Sequence, residues 1–121
     1  MQIAQKNFYK KFLGRVGEQK AVDFLKDKGY KLLAKNFKTH IGEIDIIVKD
    51  GEYTVFVEVK TRLNDDFGAP SEAVTRKKQE KYFRVASEYL RNNKLTDSAC
   101  RFDVVEIENG QINHIIDAFS M

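Results

Sequence analysis

The stretch EIDIIVKDGEYTVFVEVK, residues 43–60, contains two apolar runs rich in β-branched residues on either side of Asp50-Gly51. Such runs favour β-strands, and Asp-Gly between them is a strong short-range signal for a hairpin. We therefore predict strands over Glu43–Lys49 and Tyr53–Lys60, joined by this turn. Both strands are apolar enough to lie in the centre of a sheet.

Away from the turn, four charged residues interrupt these apolar strands, and the turn fixes how they face one another: Glu43, Asp45, Glu58 and Lys60. A two-residue turn at the Asp-Gly pair places Asp45 opposite Phe56 and Glu43 opposite Glu58. All four charged side chains then share one face of the hairpin. Asp45 and Glu58 become diagonal neighbours about 7–8 Å apart at their α-carbons. A cation can bridge that separation.

The chemistry of these side chains favours a divalent metal site. Neighbouring carboxylates in an apolar strand are costly unless a cation or hydrogen bonds compensate them. Carboxylate oxygens suit Mg²⁺ or Mn²⁺, and the absence of paired Cys or His disfavours zinc. Such a metal would activate water for phosphodiester hydrolysis, with Lys60 stabilising charge on the phosphoryl oxygens. The alternative is a strand end in solvent, where Glu58 and Lys60 form a weak pair, which leaves Asp45 unexplained.

The rest of the chain supplies two helices and three more strands. Helical spacing of apolar residues predicts a first helix from about Asn7 to Lys28, with Gly29 at its C-cap. A second helix is predicted from an N-cap at Thr75 to about Asn93. The remaining strands, the last two joined at Asn109-Gly110, are Tyr30–Lys38, Arg101–Glu108 and Gln111–Phe119. This order predicts a single domain over residues 1–121, an α/β fold with a mixed sheet of about five strands packed against helices.

Three further polar residues are candidates for the site. Gln79 falls within the apolar stripe of the second helix, where its amide is either satisfied by backbone groups or orients Lys60, a water or a phosphate. Glu18 lies at the flank of the first helix's apolar face, and either reaches the metal or sits at the rim. Glu43 follows Gly42 and is either a ligand or a solvated residue.

The bulk composition fits a cytoplasmic protein that can bind a polyanion. The chain has 21 basic and 18 acidic residues, a net charge of +3, which permits nucleic-acid binding without requiring it. The single cysteine, Cys100, excludes an internal disulfide and fits a reducing cytoplasm. No segment approaches the roughly 20 apolar residues of a membrane span, so no membrane partner is predicted.

Other polar features carry weaker functional signals. Basic residues on the outer face of the second helix serve solubility or a distal phosphate; they are Lys77, Lys81, Arg84 and Arg91. The loop LNDDFGAPS, residues 63–71, is either a mobile flap beside a substrate cleft or a plain surface connection. His40 and His114 are isolated, with no Ser or Cys nucleophile elbow, so a hydrolase triad is not indicated.

A set of motifs spread over residues 12–119 is similar to one known family. The motifs are Gly17-Glu18, Gly42-Glu43-Ile44-Asp45, the run Phe56 to Arg62, Phe67-Gly68, Ala73-Val74-Thr75, Lys78-Gln79 and Arg101-Phe102-Asp103-Val104. Together they resemble the bacterial YraN-type family, which is regarded as endonuclease-like and related to archaeal Holliday-junction resolvases within the PD-(D/E)xK superfamily. The resemblance implies a restriction-endonuclease-like fold.

The resemblance also implies roles for the hairpin residues. Asp45 and Glu58 would be metal ligands, with the Val59 carbonyl as a third, and Lys60 would be the catalytic lysine. Ile44 stands where the superfamily's name has a proline, a position at which replacement is common.

On the helices, the resemblance matches Glu18 to the resolvases' helix glutamate, a further metal ligand. Gln79 matches the helix residue that often accompanies the site. Asp103 stays outside the catalytic set, as a structural residue that pairs with an arginine.

The expected function is therefore a Mg²⁺- or Mn²⁺-dependent endonuclease acting on nucleic acid, with DNA as the first candidate. The sequence leaves junctions, flaps, single strands and RNA open as substrates. The resolvase resemblance implies a homodimer, because two strands must be cut symmetrically. Two alternatives remain: a nucleic-acid-binding module that keeps the fold without turnover, and a protein-interaction adaptor with a vestigial site, indicated only by the modest net charge.

Overall fold

The computed structural model describes residues 2–62 and 74–120, with side chains from Lys11 onward. Its elements in chain order are α1 (Gln2–Asp27), β1 (Lys31–Lys38), β2 (Glu43–Asp50), β3 (Tyr53–Arg62), α2 (Arg76–Asn92), β4 (Cys100–Glu108) and β5 (Gln111–Phe119). The predicted two helices and five strands are confirmed, although α1 begins at Gln2 rather than about Asn7. The predicted loop over residues 63–71 lies outside the described residues.

The five strands form one sheet in the order β1-β2-β3-β4-β5. All neighbours are antiparallel except β3 and β4, which are parallel and are connected in sequence through α2. One helix packs on each face, so the predicted mixed α/β sheet flanked by helices is confirmed. Within residues 2–62 and 74–120, neither helix combines the length and apolar character needed to cross a membrane.

Each face of the sheet has its own apolar core. The core under α1 consists of Ala21, Val22 and Leu25 from the helix with Ile46, Val48, Val55, Val57, Val105 and Ile107 from the strands. The core under α2 consists of Val85, Ala86 and Tyr89 from the helix with Ile44, Ile47, Phe56 and Phe102. The central strand β3 therefore alternates, since its residues 55 and 57 face α1 and residue 56 faces α2.

The helix ends follow the predicted caps. Gly29 has a φ of +93°, and the N–H of Tyr30 donates to the carbonyl of Leu25 at 3.1 Å, which closes a Schellman motif. At the start of α2, the hydroxyl of Thr75 accepts a hydrogen bond from the N–H of Lys78 at 3.2 Å.

The register of the β2–β3 hairpin differs from the prediction by two residues. Asp50 pairs with Tyr53, so the two-residue loop is Gly51-Glu52 rather than Asp50-Gly51. Gly51 takes the positive φ, +58°, at the first loop position, where a type II′ turn requires glycine. Asp50 stays in β2 because its carboxylate accepts a hydrogen bond at 2.8 Å from Arg101 of β4.

A shift of two residues preserves the face of each side chain but changes its partner. Ile47 now lies opposite Phe56, whereas the prediction placed Asp45 there. Continued along the strands, the observed register brings Asp45 opposite Glu58. Asp45 and Glu58 are thus the residues directly beyond the last pair of the ladder, Ile46 and Val57, rather than diagonal neighbours within it.

The prediction that four charged side chains share one face is wrong, because the alternation of β2 breaks at Asp45. Ile46 packs under α1 while Ile44, two residues away, packs under α2. On β1 the break coincides with Asn36, a non-glycine residue with a φ of +52°. Glu43 consequently turns away from the face of Glu58.

Candidate functional site

Asp45 lies where the backbone pairing of β2 and β3 ends. The last paired residues on the two strands are Ile46 and Val57. Beyond them, Oδ2 of Asp45 accepts a hydrogen bond from the N–H of Val59 at 2.9 Å. The carboxylate thus satisfies a backbone donor of β3 that has left the ladder, and this contact fixes its orientation.

The half-buried carboxyl of Asp45 lies among other negative charges. Burial, as the largest cause, and the charge of Glu58 together raise its pKa to about 7, against a lowering by the Val59 hydrogen bond. Smaller contributions come from Glu18 and Glu43, which places both within electrostatic reach. Four carboxylates from α1, β2 and β3 therefore act on one another at this end of the hairpin.

Glu58 is held by two side chains of α2. The hydroxyl of Tyr82 donates a short hydrogen bond to its Oε2. The ammonium of Lys78 lies 3.8 Å from its Oε1, with the Lys78 side chain 57% exposed and that of Glu58 only 12%. Burial and the neighbouring carboxylate raise the pKa of Tyr82 above its usual value, so this phenol stays protonated and remains a donor.

The sequence missed Tyr82 and Lys78 as site residues. Tyr82 lies among the apolar residues of α2, where its ring packs, stacked on Phe119. The available signal was the hydroxyl itself, because a buried tyrosine facing a sheet needs a hydrogen-bond partner.

Lys60 lies two residues after Glu58 on β3 and is half-buried. The regular alternation of this strand places both side chains on the face of α2. On the neighbouring strand β4, Glu106 is the residue in register with Lys60. The structure therefore keeps the predicted acid-x-lysine pair on one face.

Glu18 and Glu43 are joined by Asn36 at the edge of the site. The side-chain amide of Asn36 donates to Oε1 of Glu18 at 3.1 Å and to Oε1 of Glu43 at 2.8 Å. The contact connects α1 with β1 and β2, so Glu18 does approach the hairpin from the helix. Asn36 was missed, although asparagine inside a strand pattern is a signal for a left-handed residue.

The side chain of Gln79 is held by the backbone just before α2. Its amide nitrogen donates to the carbonyl of Val74 at 2.8 Å. This is the first of the two predicted alternatives, an amide satisfied by backbone groups. Val59, whose carbonyl is the implied third ligand, donates its N–H to Asp45.

The carboxylates are the right type of ligand for a hard divalent cation, but their side chains do not converge on one position in the described residues. Carboxylate oxygens from Asp45 and Glu58 are the ligand type that Mg²⁺ and Mn²⁺ favour. Across residues 2–62 and 74–120, however, no three Asp, Glu, His or Cys side chains converge closely enough to hold a metal ion. Hydrogen bonds from Tyr82 to Glu58 and from Asn36 to Glu18 and Glu43 already engage three of the four carboxylates.

Comparison with known proteins places this site within a family. Residues 17–107 match the model of the "Uncharacterised protein family UPF0102". The chain belongs to this family. It is 48% identical over 108 residues to a UPF0102 protein of Caldicellulosiruptor saccharolyticus, covering 89% of this chain and 92% of the relative. It is 49% identical over 107 residues to one of Thermodesulfovibrio yellowstonii, covering 88% and 95%.

A UPF0102 protein of Caldanaerobacter subterraneus subsp. tengcongensis is 44% identical over 121 residues, covering 94% of this chain and 99% of the relative. The UPF0102 match includes Glu18, Asp45, Glu58 and Lys60, together with their partners Asn36 and Tyr82. The whole candidate site therefore lies in the part of the chain that defines the family.

A second polar cluster in this UPF0102 chain surrounds Asp103, which is fully buried. Asp103 accepts hydrogen bonds from Arg101, from Nε2 of His114 at 2.8 Å and from the N–H of Asp117. Burial alone would raise its pKa, but the hydrogen bonds from His114 and Arg101 hold it below its usual value. The prediction that Asp103 pairs with an arginine is confirmed.

The prediction that His114 is isolated is wrong. Its ring is 3% exposed, and its Nδ1 lies 2.7 Å from the ammonium of Lys28. Because an ammonium can only donate, Nδ1 accepts and Nε2–H donates to Asp103. The cluster joins the turn after α1 to β4 and β5, and its buried carboxylate is engaged by Arg101, His114 and the N–H of Asp117, so its role is structural.

Proposed function

We propose that this chain is a metal-dependent nuclease of the PD-(D/E)xK type, with Asp45 and Glu58 as metal ligands and Lys60 as the catalytic lysine. The observation that carries the proposal is the position of Asp45. A half-buried carboxylate is fixed by the N–H of Val59 at the point where two central strands part, beside Glu58. A carboxylate so placed is costly unless a cation compensates it.

The residues fit a divalent cation by charge and by ligand type. Asp45 has a raised pKa because it is buried beside Glu58, so a cation there would stabilise both charged forms. When bound, Mg²⁺ or Mn²⁺ would polarise a phosphate and activate a water for attack. Glu18 is the further carboxylate that α1 brings towards this position.

The surrounding side chains have separate tasks in this proposal. Tyr82 fixes one oxygen of Glu58 and, with Lys78, holds the carboxylate in place on the α2 face. Lys60 projects from the same face, where its ammonium would stabilise negative charge growing on the phosphoryl oxygens. Asp45 is oriented by the N–H of Val59, the residue that precedes Lys60 on β3.

The deciding experiment is a nicking assay with Mg²⁺ or Mn²⁺ across single strands, duplexes, flaps, junctions and RNA. We expect turnover that falls at least 100-fold in Lys60→Ala and in Asp45→Asn. Lys49→Ala, which removes an exposed lysine from the same hairpin, is the matched control and should cleave normally. Equal cleavage by pure wild type and both site variants would refute the proposal, as would inactivity with every substrate and metal.

A nucleic-acid-binding module without turnover is the second candidate function. It is favoured by the hydrogen bonds that direct Glu58 towards Tyr82 and away from a shared metal position. This candidate predicts salt-sensitive binding of DNA that neither a chelator nor Glu58→Gln changes. Loss of binding on chelation would instead favour the nuclease.

A further inference from the structure

A cavity of about 220 Å³ lies between α1 and the ends of β3 and β4. We propose that it holds one nucleotide unit of the nucleic-acid strand, next to the phosphate at the carboxylate site. The inference rests on the nuclease function proposed above and extends it, because it names a second contact for the same strand.

The walls of the cavity combine apolar and cationic side chains. Leu13, Val16 and Ile107 supply apolar contact, against which a base or a sugar can pack. Lys20 and Arg62 are the charged residues that line it. A guanidinium binds phosphate through two parallel hydrogen bonds, and an ammonium adds a point charge. Apolar contact beside two cations matches a nucleoside joined to a phosphate.

The size of the cavity favours a unit of a polymer over a whole small-molecule ligand. Pockets that enclose drug-sized ligands and cofactors are typically about 300–1,000 Å³. A volume of about 220 Å³ falls below that range. A residue of a longer strand can occupy such a space while its neighbours continue outside.

The cavity and the carboxylate site are adjacent along two elements. Gly17 and Thr61 line the cavity, and Glu18 and Lys60 are their immediate neighbours in sequence. Helix α1 approaches β3 so closely here that a Cβ on Gly17 would overlap the hydroxyl of Thr61. One strand residue advances about 3.3 Å and reverses the face of the side chain. A nucleic-acid strand that crosses this end of β3 can therefore contact both places.

The first test uses thymidine 5′-monophosphate as the probe, titrated in chelator and followed by amide chemical shifts. We expect shifts concentrated at Gly17, Thr61 and Gly110, because these residues line the cavity. The metal-free condition keeps the readout independent of cleavage. Shifts confined to other parts of the chain, or no shifts, would overturn the inference.

The second test measures binding of an oligonucleotide in chelator, so that cleavage does not occur during the measurement. Arg62→Ala and Lys20→Ala should each weaken binding about 3- to 10-fold and reduce the salt slope by about one. Leu13→Ala should weaken binding without changing that slope, because it removes apolar contact alone. Lys26→Ala, an exposed lysine of the same helix outside the cavity lining, is the matched control. Thermal midpoints establish that each variant is folded.

The outcomes separate this inference from the nuclease proposal. If nicking requires Lys60 while Arg62→Ala and Lys20→Ala bind and cleave as wild type does, the cavity inference fails and the nuclease proposal stands. If the cavity variants lose binding but no substrate is ever cut, the nuclease proposal fails and the cavity remains a nucleotide-binding site. An equal loss in Lys26→Ala would show general charge attraction and would overturn the cavity inference.

Discussion

At the scale of single residues, the negative charge of Asp45 lowers the stability of the metal-free protein. Its pKa rises from 3.8 to about 7 because the carboxyl is buried beside Glu58. The folded state then binds this proton more tightly than the unfolded state, so the free energy of unfolding falls as pH increases from about 4 to 7. Above pH 7 this contribution is constant.

Asp45→Asn should therefore stabilise the protein in chelator at pH 8, by an amount on the order of 2–4 kcal/mol. The amide oxygen of asparagine still accepts the hydrogen bond from Val59, and the repulsive charge is gone. Urea unfolding at several pH values measures the effect. The gain over wild type should increase between pH 4 and 7 and then level off; a gain independent of pH would contradict the charge explanation.

Asp103 behaves in the opposite sense, because its hydrogen bonds stabilise the charged form. This stability is present above the unfolded pKa near 3.8 and is lost as pH falls through the lower folded value. Asp103→Ala should cost about 3–5 kcal/mol at pH 7, since Arg101 and His114 would stay buried without their acceptor. Urea unfolding at pH 7 measures the loss.

Asp117→Asn is the matched control for Asp103→Ala. The side chain of Asp117 is exposed, its N–H donates to Asp103, and asparagine tolerates its φ of +55°. Its effect should stay within about 0.5 kcal/mol. A similar loss in both variants would show that the β5 backbone, rather than the buried carboxylate, accounts for the stability.

Site residues could be predicted from the sequence where the pattern within a single strand was enough to identify them. Asp45 stood out because acidic residues are rare in apolar strands, and Glu58 and Lys60 because residues two apart share a face. Asn36 and Tyr82 could not be assigned, because their contacts join elements distant in sequence. The break in alternation at Asp45 depends on the left-handed backbone of Asn36, which no hydrophobic pattern shows.

At the scale of the elements, the sequence predicts what depends on neighbouring residues, such as a turn, but not what depends on contacts between distant residues. The Asn109-Gly110 turn formed as predicted, with Glu108 paired to Gln111 and positive φ at both turn residues. The Asp-Gly turn moved by one residue along the chain because Arg101, 51 residues away, holds Asp50 in β2. A two-residue turn is readable from sequence, but its register also reflects such distant contacts.

The approach of α1 to β3 depends on Gly17. A Cβ there would overlap the hydroxyl of Thr61, whose β-branched side chain has little freedom to move. We expect Gly17→Ala to lower the free energy of unfolding by about 1–3 kcal/mol through overpacking, despite the better helix propensity of alanine. Chemical unfolding measures the change.

Gly14→Ala provides the control in the same helix. Nothing lies within 4 Å of a Cβ at Gly14, so the variant should gain about 0.5–1 kcal/mol from helix propensity. Equal gains at both positions would show that α1 does not pack against β3 at Gly17 as described.

At the scale of the whole molecule, the candidate site exists only in the folded chain. Its carboxylates come from α1, β2 and β3, and the residues that hold Glu58 come from α2. An unfolded chain cannot present these groups together, so the free energy of binding a cation at the proposed site would add to the free energy of folding. Stability is thus a readout of the proposed metal site that does not depend on any substrate.

Saturating Mn²⁺ or Mg²⁺ should raise the melting temperature at pH 8 by roughly 10 °C, as expected at about 100 times the dissociation constant. The rise should be smaller at pH 6, because Asp45, with a pKa of about 7, must lose its proton to bind a cation. Asp45→Asn should abolish most of the rise, whereas Lys60→Ala should keep it while losing nicking. An equal rise in Asp45→Asn would place the cation elsewhere. Loss of the rise in Lys60→Ala would show that the lysine supports cation binding itself, so its effects on cleavage and on cation binding could no longer be separated.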